Sequence, residues 1–459
     1  MTRGDLSTEG RQRDVTGVLL GLIVLVFAVP SILVFQPLGA GATPAALLGT
    51  VLFLWWASTR LLGEDGAIPR VGVRPIHWAL LFFGAALLLS NWAGNFHARS
   101  ALETSSADRA VLIVMAWAGV ALTAADGLVS RRSIDRVLHA LVVGAAALSV
   151  VGLLQFFFGL DIARFVSVPG LTPRNDLAFI QERSIFRRVA GTAGHPIEFG
   201  VTLAMILPLA VHFVVAPGRD RLRRDVVYLV LIAAAIPMTL SRSATLGMAV
   251  AGGVLFAGWN GAQRRAALVA VPLFAVVMRL FVPGLLGTIR SLFLNLGNDP
   301  SIEGRTDDYA YVQPFFVQSP VVGRGWGTFI PEQYTTLDNQ YLLQAVETGV
   351  IGVLALLTLF VVGFSCSRGV RLRASDEQTR HLGQALAASI AVVAVTLVTF
   401  DGFSFPMVTL TAFLVLGVTG ALWRLTVAEH GMVVHRARTH QRRSRDVMTA
   451  RAGDPVNPS

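Results

Sequence analysis

The chain has 459 residues, 54% of them hydrophobic and 14% charged, where soluble domains carry roughly 25% charged residues. A soluble core cannot hide that much apolar surface, so a soluble globular protein is excluded and the excess must face lipid. The net charge of +10 comes from arginine alone, because the chain has no lysine; divided among membrane loops it implies no nucleic-acid partner.

A helix needs about 20 apolar residues to cross a bilayer. Taken in chain order, suitable runs fall at 17–37, 43–61, 77–93, 109–129, 136–159, 192–216, 226–241, 243–260, 266–284, 339–365, 383–400 and 407–428. None alternates as a membrane β-strand does. Backbone polar groups in lipid must bond within their own segment, so each run predicts a helix. The expected fold is therefore all-α, a polytopic transmembrane bundle of about twelve spans. A large extracytoplasmic loop is expected between spans 9 and 10. The polar first 16 residues precede an apolar run longer than a signal-peptide core, which reads as a retained first helix.

Arginine sets the expected orientation, since basic residues favour the cytoplasmic side. The N-terminus, alternate loops and the tail hold 26 of the 38 arginines. This gives a cytoplasmic N-terminus over 1–16, a transmembrane domain over 17–428 with outer loops at about 160–190 and 285–338, and a basic cytoplasmic tail over 429–459. The tail is expected to lie against anionic lipid headgroups. Cys366, the only cysteine, excludes an internal disulfide and a cysteine-based metal site.

Twelve arginines break the alternation, most of them in the two long outer loops, where the charge rule is relaxed. That relaxation does not cover Arg242, in a minimal turn Ser241-Arg242-Ser243 between two predicted helices. An arginine at such depth is costly unless paired or solvated, so it either pairs with a loop acid or binds an anion. Arg305, in Gly304-Arg305-Thr306-Asp307-Asp308, favours the second option, as does Arg187-Arg188 ahead of Thr192. Guanidinium forks grip phosphate in a bidentate manner, and several at one membrane face suit a lipid-linked diphosphate.

Four of the five tyrosines, Tyr309, Tyr311, Tyr334 and Tyr341, fall in or beside the larger loop with Trp326. They read either as an interfacial belt or, near Arg305 and Arg324, as stacking faces for sugars. The loop runs on through Gln318-Ser319-Pro320-Val321-Val322-Gly323-Arg324-Gly325-Trp326-Gly327 to Asp338-Asn339-Gln340-Tyr341-Leu342 and Glu347-Thr348-Gly349-Val350-Ile351-Gly352. Such long loops are usually functional. His195, before Pro196 at a helix start, reads as a helix cap, a hydroxyl ligand or a proton shuttle.

With those motifs in order, the chain resembles the O-antigen ligase and O-antigen polymerase family of bacterial surface-glycan enzymes. The resemblance rests on Gly191-Thr192-Ala193-Gly194-His195-Pro196, Leu240-Ser241-Arg242-Ser243, Gly304-Arg305, Pro320 to Gly327 and Asp338 to Gly352. It implies a multi-pass membrane glycosyltransferase at the outer face of the bacterial cytoplasmic membrane. Such an enzyme is metal-independent, uses no cofactor, inverts the anomeric centre and takes its glycan from a polyprenyl diphosphate. Arg242 and Arg305 are then expected to contact the diphosphate, with Arg188 as a third candidate. Arg324, His195, Tyr341 and Asp307 are further candidates for substrate binding. Implied partners are the polyprenyl-diphosphate-linked glycan, membrane lipid, and a chain-length regulator or flippase.

One position departs from the family pattern. Ligases of the family carry histidine before the Asn-x-Tyr-Leu segment, and this chain has Asp338. A carboxylate there can act as general base, bind a sugar hydroxyl or pair with Arg305. The change favours a polymerase over a ligase, with Asp338 the first candidate base and Asp307, Asp308 and Glu347 behind it. A flippase or secondary transporter remains the reading of another class, against which stand the lack of a repeat between the halves and the gathering of charge in loops.

Overall fold

The computed structural model describes residues 14–39, 41–62, 74–96, 98–174, 180–183, 186–215, 222–294 and 300–452, with side chains described outside 180–183, 292–293, 300–306 and 432–452. The described chain is helical almost throughout. Its helices are α1 (Thr16–Ala28), α2 (Pro44–Leu61), α3 (Pro75–Gly94), α4 (Ala101–Gly127), α5 (Arg131–Phe158), α6 (Pro196–Val215), α7 (Leu222–Ala235), α8 (Arg242–Gly258), α9 (Gly261–Phe281), α10 (Leu285–Leu294), α11 (Pro300–Gln318), α12 (Gln340–Arg373), α13 (Glu377–Thr396) and α14 (Pro406–Ala452). Leu33–Val34 pairs antiparallel with Thr172–Pro173, and Ile180–Arg183 with Phe186–Val189.

Six of the described helices are long and apolar enough to cross a membrane: α3, α4, α5, α6, α12 and α14 to Gly431. The count rises to seven if α9 and α10, bent by 111°, form one broken span. The twelve apolar runs all fall on helices, but with different limits. The run 17–37 is helical only to Ala28, because Pro30 holds Val29 in an extended conformation. Its remainder holds the two-residue strand Leu33–Val34 and the start of a 3-10 turn over Gln36–Leu38. Hydrophobicity alone does not separate the two. The stretch 285–338 likewise holds helices α10 and α11.

Local signals start and stop the helices. Ser100 and Glu103 form a reciprocal capping box on α4. Thr43 caps α2 ahead of Pro44, and Ser130 caps α5. Burial then sorts the helices: α6 and α14 run through the interior, with 78% and 83% of their spans covered, whereas α3 is covered over 39%. Trp78, Leu81, Leu88 and Trp92 on α3 are left exposed, as a lipid-facing surface requires.

Buried polar residues tie the bundle at both ends. At one end Asp126, on α4, accepts from Trp56 Nε1 (2.9 Å), Arg60 (2.6 Å) and Arg74 (3.0 Å) and meets His77 Nε2 at 3.0 Å. Arg424 of α14 donates to the Leu128 carbonyl beside it, at 2.8 Å. At the other end Glu198, on α6, accepts from Ser31 Oγ, Gly194 N and Met407 N, each at 2.8 Å. A single carboxylate thus fixes the chain entering α6, the turn after α1 and the start of α14.

The glycine-marked loop has a structural explanation. α12 breaks at Gly349 (φ 62°), leaving backbone groups that lipid cannot satisfy. The segment Pro320–Gly325 replaces the missing partners: Arg324 N donates to Val346 O (3.2 Å), Gly325 N to Glu347 O (2.8 Å), Val350 N to Pro320 O (2.9 Å) and Ile351 N to Val321 O (3.2 Å). Gly323 (φ 70°) sits where a Cβ would lie 2.2 Å from the Glu347 backbone. Gly323→Ala is therefore expected to cost about 3 kcal/mol through positive-φ strain and overpacking. Thermal unfolding of the purified variant checks this, and an unchanged midpoint would remove the loop from the account of α12.

Candidate functional site

The end of the bundle tied by Glu198 holds Arg188, Arg242 and Asp338 of the charged residues singled out in the sequence. The N-terminal ends of α6, α8 and α12 open there, each with a partial positive charge. The turn before α8 is distorted. Pro237–Thr239 forms one turn of 3-10 helix, and Leu240 follows with φ 48°. Among the described residues Leu240 is the one non-glycine in the left-handed region. A buried leucine held there costs about 1–3 kcal/mol, a strain that clusters at functional sites. It turns the chain so that Ser241 caps α8 through Ala244 N and Arg242 takes the first helical position, half-buried.

Arg188 is brought to the same turn. The strand Phe186–Val189 lies against it, and Arg188 Nε donates to the Thr239 carbonyl at 3.0 Å, three residues ahead of Arg242. The charge of Arg188 also reaches His195. Burial first, and Arg188 second, pull the His195 imidazole down to about 4, so the ring is neutral at physiological pH. Its Nδ1 accepts from Ile197 N at 3.1 Å, which puts the proton on Nε2. His195 therefore caps α6 and presents an N–H donor. It has no free lone pair with which to act as a base.

On the far side of Arg242 stands the turn between α13 and α14. The Ser243 and Thr399 hydroxyls bond at 2.7 Å. Gln340 N, at the start of α12, donates to Leu397 O (2.9 Å) and Phe400 O (3.2 Å), and Gln340 Oε1 accepts from Phe403 N (2.9 Å). These bonds set Asp401 beside Asp338. Burial, with the charge of Asp338 behind it, pushes the Asp401 carboxyl up to about 6, against the opposing pull of Ser404 and Arg174. Arg174 donates to Ser404 O at 3.4 Å. The Phe405 ring closes the group, 5.9 Å from His195.

Asp401 is the residue that the sequence reading missed. It lies between the last two apolar runs and is the only acid from 378 to 428. That isolation was the available signal.

Other candidates lie elsewhere. Arg324 is held by Glu103 Oε1 (2.7 Å) and stacks on the Tyr334 ring at 4.5 Å, which gives it a structural partner on α4. Tyr341 donates its hydroxyl to Ala394 O at 2.7 Å and ties α12 to α13. Glu347 is buried and accepts from Phe329 N at 3.0 Å. Asp307 is exposed on α11, and Asn339 Nδ2 lies 3.4 Å from the Tyr309 hydroxyl on the same helix. The backbone of Arg305 belongs to α11, but its side chain lies outside the described residues. Among the described residues no group of three or more His, Cys, Asp or Glu could hold a metal ion.

Helices too apolar for water, bound end to end by buried polar residues, define a multi-pass helical membrane protein. Arginines and carboxylates meet at one end of it. Comparison with known families narrows the class: residues 227–357 match the family described as O-antigen ligase. The resemblance to the O-antigen ligase and polymerase family is thereby borne out over those residues. The match contains Arg242, Arg305, Asp338 and the Pro320–Gly325 segment, while Arg188, His195 and Asp401 lie outside it. No curated protein matches the chain at a significant level.

Proposed function

We propose that this protein is a membrane glycosyltransferase that joins polyprenyl-diphosphate-linked glycan repeats at the outer face of the cytoplasmic membrane. The observation that carries the reading is the coincidence of the family match with the convergence of Arg188, Arg242, Asp338 and Asp401 at one end of the bundle. Twelve spans with both termini in the cytoplasm belong to the same proposal, and the arginine alternation supports them. So does a loop over 285–338 on the outer side.

In the proposed reaction an acceptor hydroxyl attacks the anomeric carbon of the donor glycan from the face opposite the diphosphate. The new C–O bond forms as the bond to the diphosphate oxygen breaks, and the electron pair leaves with the polyprenyl diphosphate. Arg242, Arg305 and Arg188 meet the charge that develops there. The hydroxyl proton passes to a carboxylate. Asp338 is the first candidate and Asp401 its partner, since a group near 6 is a stronger base than an ordinary carboxylate and still ionised at neutral pH. His195 offers an N–H to a sugar or phosphate oxygen.

The sign of the pH dependence follows. A base acts only when deprotonated, so the transfer rate is expected to fall as pH is lowered through about 6, the value to which Asp401 is raised. Asp401→Asn is expected to remove that limb and leave a lower, flatter profile. A purified-enzyme pH series on a lipid-linked donor measures both, and an acid limb unchanged in the variant would take Asp401 out of the reaction.

A ligase that transfers the glycan to a lipid or protein acceptor would use the same arginines. Asp338, in place of the ligase histidine, favours the polymerase. A flippase or transporter is disfavoured by the family match. The test is the glycan profile of a deletion strain. Single lipid-linked repeats accumulate if a polymerase is lost, and long lipid-linked polymer accumulates if a ligase is lost.

A further inference from the structure

We propose that the cavity between α1 and α5 binds one anionic phospholipid, with its headgroup at the end of the bundle opposite the candidate functional site. The cavity measures about 1220 Å³, larger than the roughly 300–1,000 Å³ of small-molecule sites. Ile23, Val24 and Phe27 of α1 and Val143, Ala147 and Val151 of α5 give it an apolar wall. A reason for the opening lies in α1, whose 13 residues reach about 20 Å at 1.5 Å each, short of a hydrocarbon layer about 30 Å thick.

One end of the cavity is strongly basic. Arg131, Arg132, Arg136 and Arg224 line it, and the acids lining it are Asp135 and Asp225. Arg131 Nε is held by Asp135 at 3.0 Å, and Arg224 Nη2 reaches His139 Nε2 at 3.0 Å. Two further guanidinium nitrogens, Arg131 Nη2 and Arg224 Nε, are buried with no hydrogen-bond partner among the described residues. Buried donors are rarely left so. A phosphodiester supplies the acceptor oxygens and counter-charge that this cluster of guanidiniums lacks, and its acyl chains match the wall beyond. A headgroup of net negative charge suits this end, because its four guanidiniums outnumber its two carboxylates, each of which already faces an arginine. The opposite end of α5 carries Gln155, bonded to Gly191 at 3.1 Å beside the candidate site. The lipid therefore lies in the other leaflet from the proposed reaction, and its binding is measured without any glycan.

The test is native mass spectrometry of the full chain in detergent, with phosphatidylglycerol and phosphatidylcholine supplied at equal concentration. Phosphatidylglycerol is expected to be retained in about tenfold preference, because both lipids offer a phosphate but the choline cation of phosphatidylcholine is repelled by the arginine cluster. Two variants are expected to abolish the preference: Arg131→Gln with Arg224→Gln, which removes the donors, and Ala147→Trp, which fills the wall and keeps every charge. Arg264→Gln with Arg265→Gln removes as many charges from exposed positions and is expected to change nothing. Equal retention of the two lipids would overturn the proposal, as would equal loss in the control. So would displacement of phosphatidylglycerol by an equal concentration of undecaprenyl phosphate, which would make a polyprenyl lipid the occupant.

Discussion

Arg242→Ala is expected to lower glycan transfer by about 10²–10³-fold, the cost of removing one preorganised donor from a developing oxyanion, while the protein still reaches the membrane. The expectation rests on the turn that carries the residue. Leu240 is held at φ 48° and Ser241 caps α8, so Arg242 stands at a positive helix end, one turn from the Thr239 carbonyl that takes Arg188. Arg242→Lys keeps the charge but not the fork, and is expected to recover only part of the rate. Polymer length in a complemented deletion strain, read beside the amount of protein in the membrane, makes the measurement. Normal polymer from Arg242→Ala would end the diphosphate role. The same assay on Arg305→Ala is expected to give the same loss.

Asp126→Ala carries the largest expected effect on stability. The carboxylate is buried and holds Arg60, Arg74, His77 and the Trp56 indole within 3.0 Å. Its removal leaves cations facing one another with no counter-charge, and breaking such a buried network costs about 3–5 kcal/mol. Little folded protein is expected in the membrane, and a much lower unfolding midpoint in detergent. Glycan transfer by whatever folds is expected to be near normal, because the network lies at the end of the bundle opposite the candidate functional site. Full expression with an unchanged midpoint would contradict the role given to Asp126.

The two ends of the molecule were legible in the sequence to different degrees. Apolar runs near 20 residues mark where helices lie but not their limits: α4 starts at Ala101, ahead of its run at 109, and α14 continues past 428. The early end of α1 was hidden because Ile32-Leu33-Val34 is as apolar as the helix it follows. Arg188, Arg242 and Asp338 stood out because charge is rare in such a chain, and the structure gathers them. Contacts across long separations were not legible. Nothing near Arg324 in sequence announces Glu103, 221 residues away. Glu347 reads in sequence as a candidate base, but the 327–329 backbone encloses its carboxylate, with Phe329 N donating to it at 3.0 Å. Asp401 is a lone acid between two apolar runs, and neither its burial nor its place beside Asp338, set by the bonds of Gln340, is written in its sequence neighbourhood.

The most direct test of the central claim is a purified reaction: the full chain with a polyprenyl-diphosphate-linked repeat, in detergent, with products resolved by chain length. The account predicts lipid-linked oligomers of two or more repeats and one released polyprenyl diphosphate for each bond formed. Donor left intact by folded wild-type protein, and equally by Arg242→Ala, would contradict it.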